Sequence, residues 1–333
     1  MFIKLPKTKV YKDPIHGFIS IQYQVIKELI DTREVQRLRR IHQLGGTLEV
    51  FPTSEHSRFS HSLGCYETCR RMINEVEGLS ASLNEKEIVA ALCAALLHDI
   101  GHGPFSHAFE MVHKVEHEYY SSKIIRQDSE VSKVLAKYDL NEEVATIIDK
   151  THPNKLLVQL VSSQIDADRI DYLLRDAYFT GTSFGAIDVD RLIRVMIVKE
   201  NKIVFKEQGL SNIENFMLGR YHMYRQVYYH PASLCYEVIT TNMLKRYFEL
   251  KKLGYKFKFD YTFLNPFVDN EEVSNEDYYN LDDNVIHFYA KQFYQEEDVI
   301  LKDLADRFIN RKLLKRVHAK KRIYWKVSSK CNW

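Results

Sequence analysis

The chain has 333 residues, with 47 Lys and Arg against 45 Asp and Glu, and its length admits one large core or two domains. A formal net charge of +2 excludes nucleic-acid binding through bulk charge alone. Only 12 Gly and 7 Pro accompany plentiful Leu, Ile, Lys and Glu, which argues against a turn-rich β architecture and for helices.

In chain order, the spacing of Val25, Ile26, Leu29, Ile30, Leu38 and Ile41 predicts a helix over Gln22–Ile41. Gly45-Gly46 ends it and opens a loop through Ser57. A second helix is predicted over Leu63–Val76. Asn84 followed by Glu87 has capping-box spacing and starts a third, apolar on nearly every side from Ile88 to Leu97 and therefore central and buried. That helix runs into His98-Asp99 and stops at Gly101, Gly103 and Pro104. Further helices are predicted over Glu116–Arg126, Glu130–Lys137, Asn141–Asp149 and Leu156–Tyr178, a hairpin over Ile197–Phe205, and a helix over Ser211–Tyr228. Tyr261–Asn284 reads as loop with a turn or two of helix, Ile286–Gln295 as helix and Arg322–Val327 as a strand. The expected fold is mainly α, with residues 1–250 as the core and residues 251–333 as a small C-terminal α+β lobe.

Cys65, Cys69, Cys93, Cys235 and Cys331 are odd in number and lack CxxC spacing, which speaks against a disulfide framework or a Cys-rich zinc site. Met1–Val10 lacks the apolar stretch of a secretory leader. The longest apolar run, Ile88–Leu97, falls short of the roughly 18 residues that span a bilayer. The chain is therefore expected in the cytoplasm, with no membrane partner.

The strongest chemical signal is His98-Asp99. An Asp and a His at the end of a wholly apolar helix are costly to bury unpaired, and a divalent metal taking both as ligands removes that cost. Neighbouring helical residues point about 100° apart, so they share one ion only where the helix ends, and the following glycines supply that ending. A His-Asp hydrogen bond capping the helix is the alternative. A zincin-like site is disfavoured: His98 and His102 are four apart, but no Glu follows His98 and Gly101, Gly103 and Pro104 break the helix.

Five ordered strings surround this dipeptide: DPIHG (13–17), QLGG (43–46), HSRFSHSLG (56–64), HDIGHGPFSH (98–107) and DADRIDYLLRD (166–176). Together they resemble the HD-domain phosphohydrolases and, more narrowly, the dNTP triphosphohydrolases, over about Lys9 to His230. The resemblance implies an HD helical core over residues 1–250 with an N-terminal effector segment. It implies one divalent ion on His61, His98, Asp99 and Asp168, a donor set that suits Mn²⁺, Mg²⁺, Fe²⁺, Zn²⁺ or Ni²⁺. It implies cleavage of a dNTP to deoxynucleoside and tripolyphosphate by water attack on the α-phosphorus. His107, then His102, are the acid–base candidates, with His117 in a supporting role.

Asp168, Asp171, Tyr172, Arg175 and Asp176 fall on one polar helical stripe that is expected to line the pocket. By resemblance Tyr172 packs on the sugar, excluding a 2′-hydroxyl, and Asp176 bonds its 3′-hydroxyl. Arg58, Arg169 and Arg220 are the triphosphate partners, and Gln43, Leu44 and Tyr228 lie near the sugar and base. Val10, Asp31, Gln36, Arg39 and Phe59 match an activating dGTP or GTP site at the subunit interface of tetrameric relatives. The basic run Arg311–Lys326 keeps nucleic-acid binding open. Two rival readings stand beside the dNTPase: an HD hydrolase of another nucleotide or alarmone ester, and a binding module with weak catalysis.

Overall fold

The computed structural model describes residues 2–269 and 273–314. The chain opens with a hairpin, β1 (Lys4–Asp13) against β2 (Gly17–Tyr23), antiparallel with Asp13 opposite Gly17. The turn between them holds Gly17 at φ +72°, a conformation that favours glycine. Helices α1 (Gln24–Ile30), α2 (Arg33–Arg37), α3 (Arg58–Glu75), α4 (Glu85–Leu97), α5 (His107–His113) and α6 (His117–Arg126) follow. Next come α7 (Glu130–Ala136), α8 (Asn141–Ile148), α9 (Lys155–Val161), α10 (Ala167–Thr180) and α11 (Val189–Arg194). A second hairpin pairs β3 (Met196–Lys199) with β4 (Lys202–Phe205), turning through Glu200 and Asn201 at φ +51° and +57°. The rest is helical: α12 (Leu210–Met223) with a π-helical extension, α13 (Pro231–Lys252), α14 (Pro266–Asp269), α15 (Asn275–Tyr279), α16 (Asp283–Phe293) and α17 (Val299–Ile309).

Helix α4 is the pillar of the fold. Asn84 and Glu87 form the expected reciprocal capping box, at 3.0 and 2.9 Å. Every residue from Val89 to Leu97 is buried, each large aliphatic side chain contributing about 1.5–3 kcal/mol. Helices α3, α8 and α9 pack around it. Two hydrophobic clusters result. The larger gathers β2, α1–α4 and α6–α12; the smaller gathers α13–α17 together with Phe105, Ala108 and Phe109 from the start of α5. Helix α5 thus belongs to the second cluster although it follows the central helix of the first.

The structure corrects several expected elements. Gln22–Ile41 is not one helix: Gln22 and Tyr23 finish β2, and the chain breaks at Asp31-Thr32 before α2. Leu156–Tyr178 is two helices separated by Ser162–Asp166, with Asp166 capping α10 by accepting from the Arg169 amide at 2.7 Å. The N-terminal hairpin and helices α5, α11, α13 and α17 have no counterpart in the sequence reading. All described elements after Leu253 are helical. The expected strand Arg322–Val327 lies outside the described residues, as does most of the basic run; Arg311 donates to the Glu49 carbonyl and Lys312 pairs with Asp306. Cys65, Cys69, Cys93 and Cys235 are free, and no described helix is long and apolar enough to cross a membrane.

Candidate metal centre and active-site cavity

Three helices bring the candidate metal ligands together. His61 lies one turn into α3, His98 and Asp99 at the C-terminal end of α4, and Asp168 in the first turn of α10. His61 Nε2 is 3.2 Å from Asp168 Oδ1 and 3.7 Å from Asp99 Oδ2. His98 Nε2 is 3.4 Å from Asp99 Oδ1 and 3.6 Å from Asp168 Oδ1. Each imidazole is fixed through its other nitrogen. His98 Nδ1 donates to the Ala95 carbonyl at 2.9 Å, and His61 Nδ1 donates to Asp171 Oδ2 at 2.8 Å.

The donor set fits a divalent ion. His98 Nε2 is buried without a hydrogen-bond partner, its proton-bearing nitrogen being spent on its own helix. A lone pair of that kind is costly unless something electropositive takes it. Burial alone would raise the Asp168 carboxyl, but the imidazoles of His61 and His98 beside it hold it below the usual carboxylate range. Burial likewise opposes ionisation of Asp99, and His98 and Arg58 reverse it, so that carboxyl is held well below its ordinary value. The four groups therefore present two imidazole nitrogens and two carboxylates. Cys65, one turn after His61, places its sulfur 3.4 Å from His61 Nε2, and the sequence reading did not single it out.

Two of the ligands, Asp99 and Asp168, line a cavity of about 560 Å³, within the range of small-molecule sites. Arg58 and His102 line it beside them, as do Gln43, Leu44, Tyr172, Asp176 and Tyr228 and, from α13, Ser233, Leu234 and Glu237. Arg58 is buried, donating to Asp99 and, at 2.7 Å, to Ser106 Oγ. Asp176 is held from both sides, by His56 Nε2 at 2.7 Å and by Tyr228 Oη at 2.7 Å. The Tyr172 ring meets the Tyr228 ring edge-on, with centroids 6.2 Å apart.

The three candidate histidines converge on Glu110 of α5. His117 Nδ1 donates to its Oε1 at 2.7 Å, His107 Nδ1 lies 3.4 Å from Oε2, and His102 stacks on His117 with centroids 3.7 Å apart. Burial pushes His102 well below the ordinary imidazole range, and Arg58 and His117 beside it push it further. The bond to Glu110 raises His107, whose side chain is 72% exposed. His102 is therefore neutral at pH 7 while His107 is biased toward the protonated form.

Other candidates lie elsewhere. Asp171 and Arg175 are buried and turn away from the cavity, so the predicted stripe divides: Asp168, Tyr172 and Asp176 face the cavity, and its other two members face the N-terminal hairpin. Arg169 pairs with Asp166 at 2.5 Å and Arg220 bonds Gln164 at 3.2 Å; neither lines the cavity. Gln36 donates to the Ile30 carbonyl at 2.7 Å and accepts from Arg39, whose guanidinium lies 3.6 Å above the Phe59 ring. Val10 is half exposed on β1, and Asp31 pairs loosely with Lys27 at 3.5 Å. Sequence reading missed His56 and Glu110. Glu110 stands three residues after His107 and seven before His117, a helical spacing that signals contact.

Comparison with known proteins agrees with this geometry. An HD-domain family profile matches residues 58–176, and a profile of an HD-associated region matches residues 187–259. The chain is 47% identical to the uncharacterized protein YwfO of Bacillus subtilis over 94% of its own length and 73% of that protein. It is 30% identical to the deoxynucleoside triphosphate triphosphohydrolase SAMHD1 homolog of Dictyostelium discoideum over 78% of its own length, spanning 53% of that relative. The crystal structure of a phosphohydrolase from Bacteroides thetaiotaomicron superimposes with a TM-score of 0.83 at 33% identity, covering 93% of this chain and 78% of the other. With the HD profile falling on the helices that assemble His61, His98, Asp99 and Asp168, the chain belongs to the HD-domain phosphohydrolase family.

Proposed function

We propose that the protein hydrolyses deoxynucleoside triphosphates to deoxynucleoside and tripolyphosphate. The observation that carries this reading is the shared cavity: Tyr172, Tyr228 and the doubly held Asp176 line it together with Asp99 and Asp168 of the metal-ligand quartet. His61, His98, Asp99 and Asp168 would hold one divalent ion, which supplies Lewis-acid stabilisation of charge on phosphate oxygens. Tyr172 gives the sugar a flat apolar wall, and Asp176 offers an acceptor to the 3′-hydroxyl. The His56 and Tyr228 bonds fix that acceptor in place, which favours binding by preorganisation. Arg58 reaches the phosphate end from a buried position and is held there by Ser106, so little rotamer freedom is lost when phosphate arrives.

The proton inventory supports attack of water at the α-phosphorus with protonation of the departing 5′-oxygen. His107 stands at the cavity edge with its proton favoured by Glu110, suiting it as the acid. Neutral His102 sits 3.3 Å from Asp99 Oδ1 and orients that carboxylate. His117 and Glu110 orient His102 and His107 in turn. Arg169 and Arg220 act on the triphosphate only after leaving Asp166 and Gln164. For regulation we assign the Gln36–Arg39–Phe59 cluster, together with Val10 and Asp31, to a dGTP or GTP effector shared between subunits of a homotetramer.

The test is product analysis. The protein is incubated with Mn²⁺ or Mg²⁺ and each dNTP, alone and paired with dGTP, and products are resolved by chromatography. Deoxynucleoside plus tripolyphosphate is the expected result, with dGTP dependence marking the effector site. Hydrolysis of a monophosphate or cyclic nucleotide with every dNTP left intact would replace the substrate assignment and leave the metal site standing.

A further inference from the structure

The two ligand imidazoles are held by different means. His98 is fixed within its own helix, by the Ala95 carbonyl three residues earlier. His61 is fixed by a carboxylate 110 positions away, which is itself held by the N-terminal hairpin. Asp171 Oδ2 accepts from His61 Nδ1 at 2.8 Å, and Asp171 Oδ1 accepts from His16 Nε2 at 2.6 Å. His16 occupies the turn between β1 and β2. Its backbone amide donates to Asp13 Oδ1 at 3.0 Å, and that of Ile15 does so at 2.9 Å. Arg175, with none of its side chain exposed, clamps both carboxylates: Nε and Nη2 reach Asp171 at 2.9 Å, and Nη1 reaches Asp13 at 2.8 Å.

We infer that His16 and Asp171 form a positioning pair for the metal ligand His61, so that the β1–β2 hairpin sets the metal affinity of a site built on α3, α4 and α10. The inference rests on the metal reading above. Donors close on the Asp171 carboxylate from three sides, His16 and His61 with one bond each and Arg175 with two, so it meets His61 as an acceptor. A carboxylate accepting at Nδ1 places the proton there and leaves Nε2 as the lone pair that faces Asp168 and Asp99. Gly64 shows how closely this is fitted. It lies on α3 one turn after His61, and a Cβ there would fall 1.8 Å from Asp171 Oδ1, so only glycine admits the carboxylate.

A scaffold alone would need only the Arg175 clamp, which already joins hairpin to helix. The His16 bond is a second link across that join, and it ends on the carboxylate that orients His61. Coupling of this kind is reciprocal: if the hairpin favours metal binding, metal binding favours the closed hairpin.

The experiment uses the full chain stripped by chelator, with Mn²⁺ as probe. Affinity is measured by competition with a chromogenic chelator for the wild type, His16→Ala and His16→Gln. Amide exchange of residues 4–23 is followed with and without Mn²⁺. Glutamine places a donor where His16 Nε2 stands; alanine does not. His16→Ala should bind Mn²⁺ about tenfold more weakly, His16→Gln within about threefold of wild type, as expected for an outer-shell partner of a metal ligand. Mn²⁺ should slow hairpin exchange in the wild type and not in His16→Ala. Equal affinity in wild type and His16→Ala, or equal loss in both variants, would overturn the pair while leaving the metal site intact. A wild type that takes up no Mn²⁺ would overturn both.

Discussion

The two sides of the cavity are built on different principles. On the metal side the groups are enclosed and tied to fixed partners: His61 by Asp171, His98 by Ala95, Asp99 by Arg58, and Asp171 by His16 and Arg175. On the acid–base side His107 is exposed and touches Glu110 at 3.4 Å, on a seven-residue helix that packs with the C-terminal cluster. Phe105 and Ser106, which lead into that helix, sit at φ +51° and +46°, a conformation costing roughly 1–3 kcal/mol for a non-glycine residue. A metal site gains from rigidity because its geometry is fixed before the ion arrives. A proton donor that must meet a departing oxygen gains from a mount that can adjust, and α5 supplies one.

That contrast can be broken at its strongest point first. Asp168→Ala removes a carboxylate shared by both imidazoles and should abolish Mn²⁺ uptake and lower turnover about a thousandfold or more, the several kcal/mol that a metal supplies to a developing phosphate charge. Retained Mn²⁺ stoichiometry in that variant would show that the ligand set is misassigned.

The next effect concerns the softer side. Burial holds His113, on α5, down to about 4 from its ordinary 6.5, with its Nε2 hydrogen-bonded to the Tyr120 hydroxyl at 2.8 Å. Between those two pH values the unfolded chain binds a proton that the folded chain does not. Stability therefore falls as pH drops from 6.5 to 4, by up to ~3 kcal/mol from this one group. Amide exchange of α5 should rise across that window, and His113→Gln, which keeps a hydrogen-bond partner for Tyr120 but does not titrate, should flatten the dependence. A slope unchanged in the variant would remove His113 from the account.

His107→Gln should lower kcat about a hundredfold, the usual scale of a lost general acid, with Mn²⁺ affinity within threefold of wild type. A variant that loses metal and turnover together would mean the two sides are one rigid unit. The smallest expected effect is at the sugar end. Tyr228→Phe removes one of two bonds on Asp176 and should raise KM several-fold, about 1 kcal/mol, with kcat little changed.

The same contrast governs what could be read from sequence. The metal side was legible because its chemistry is compact in the chain: His98-Asp99 ends an apolar helix whose Asn84/Glu87 cap has a local signature, and both appear in the structure. Helix breaks were less legible because the apolar spacing runs across them. The break at Asp31-Thr32 was hidden by Leu29, Ile30 and Leu38 keeping helical phase, and that at Ser162–Asp166 by aliphatic residues on both sides. The N-terminal hairpin was missed because β1 is mostly exposed and lysine-rich, so the alternation of buried Ile19, Ile21 and Tyr23 appears in β2 alone. The Asp13–Gly17 turn carries one of the five family strings, but its partners Asp171 and Arg175 lie over 150 residues away, a distance no local pattern spans. For the same reason the polar stripe on α10 was read as one face when it serves two.

The most direct test of the central claim follows the oxygen. Turnover of a dNTP in ¹⁸O-labelled water should place a single ¹⁸O in the released tripolyphosphate and none in the deoxynucleoside, since water attacks the α-phosphorus and the 5′-oxygen departs with the sugar. Label in the deoxynucleoside, in pyrophosphate or in free phosphate would contradict the account.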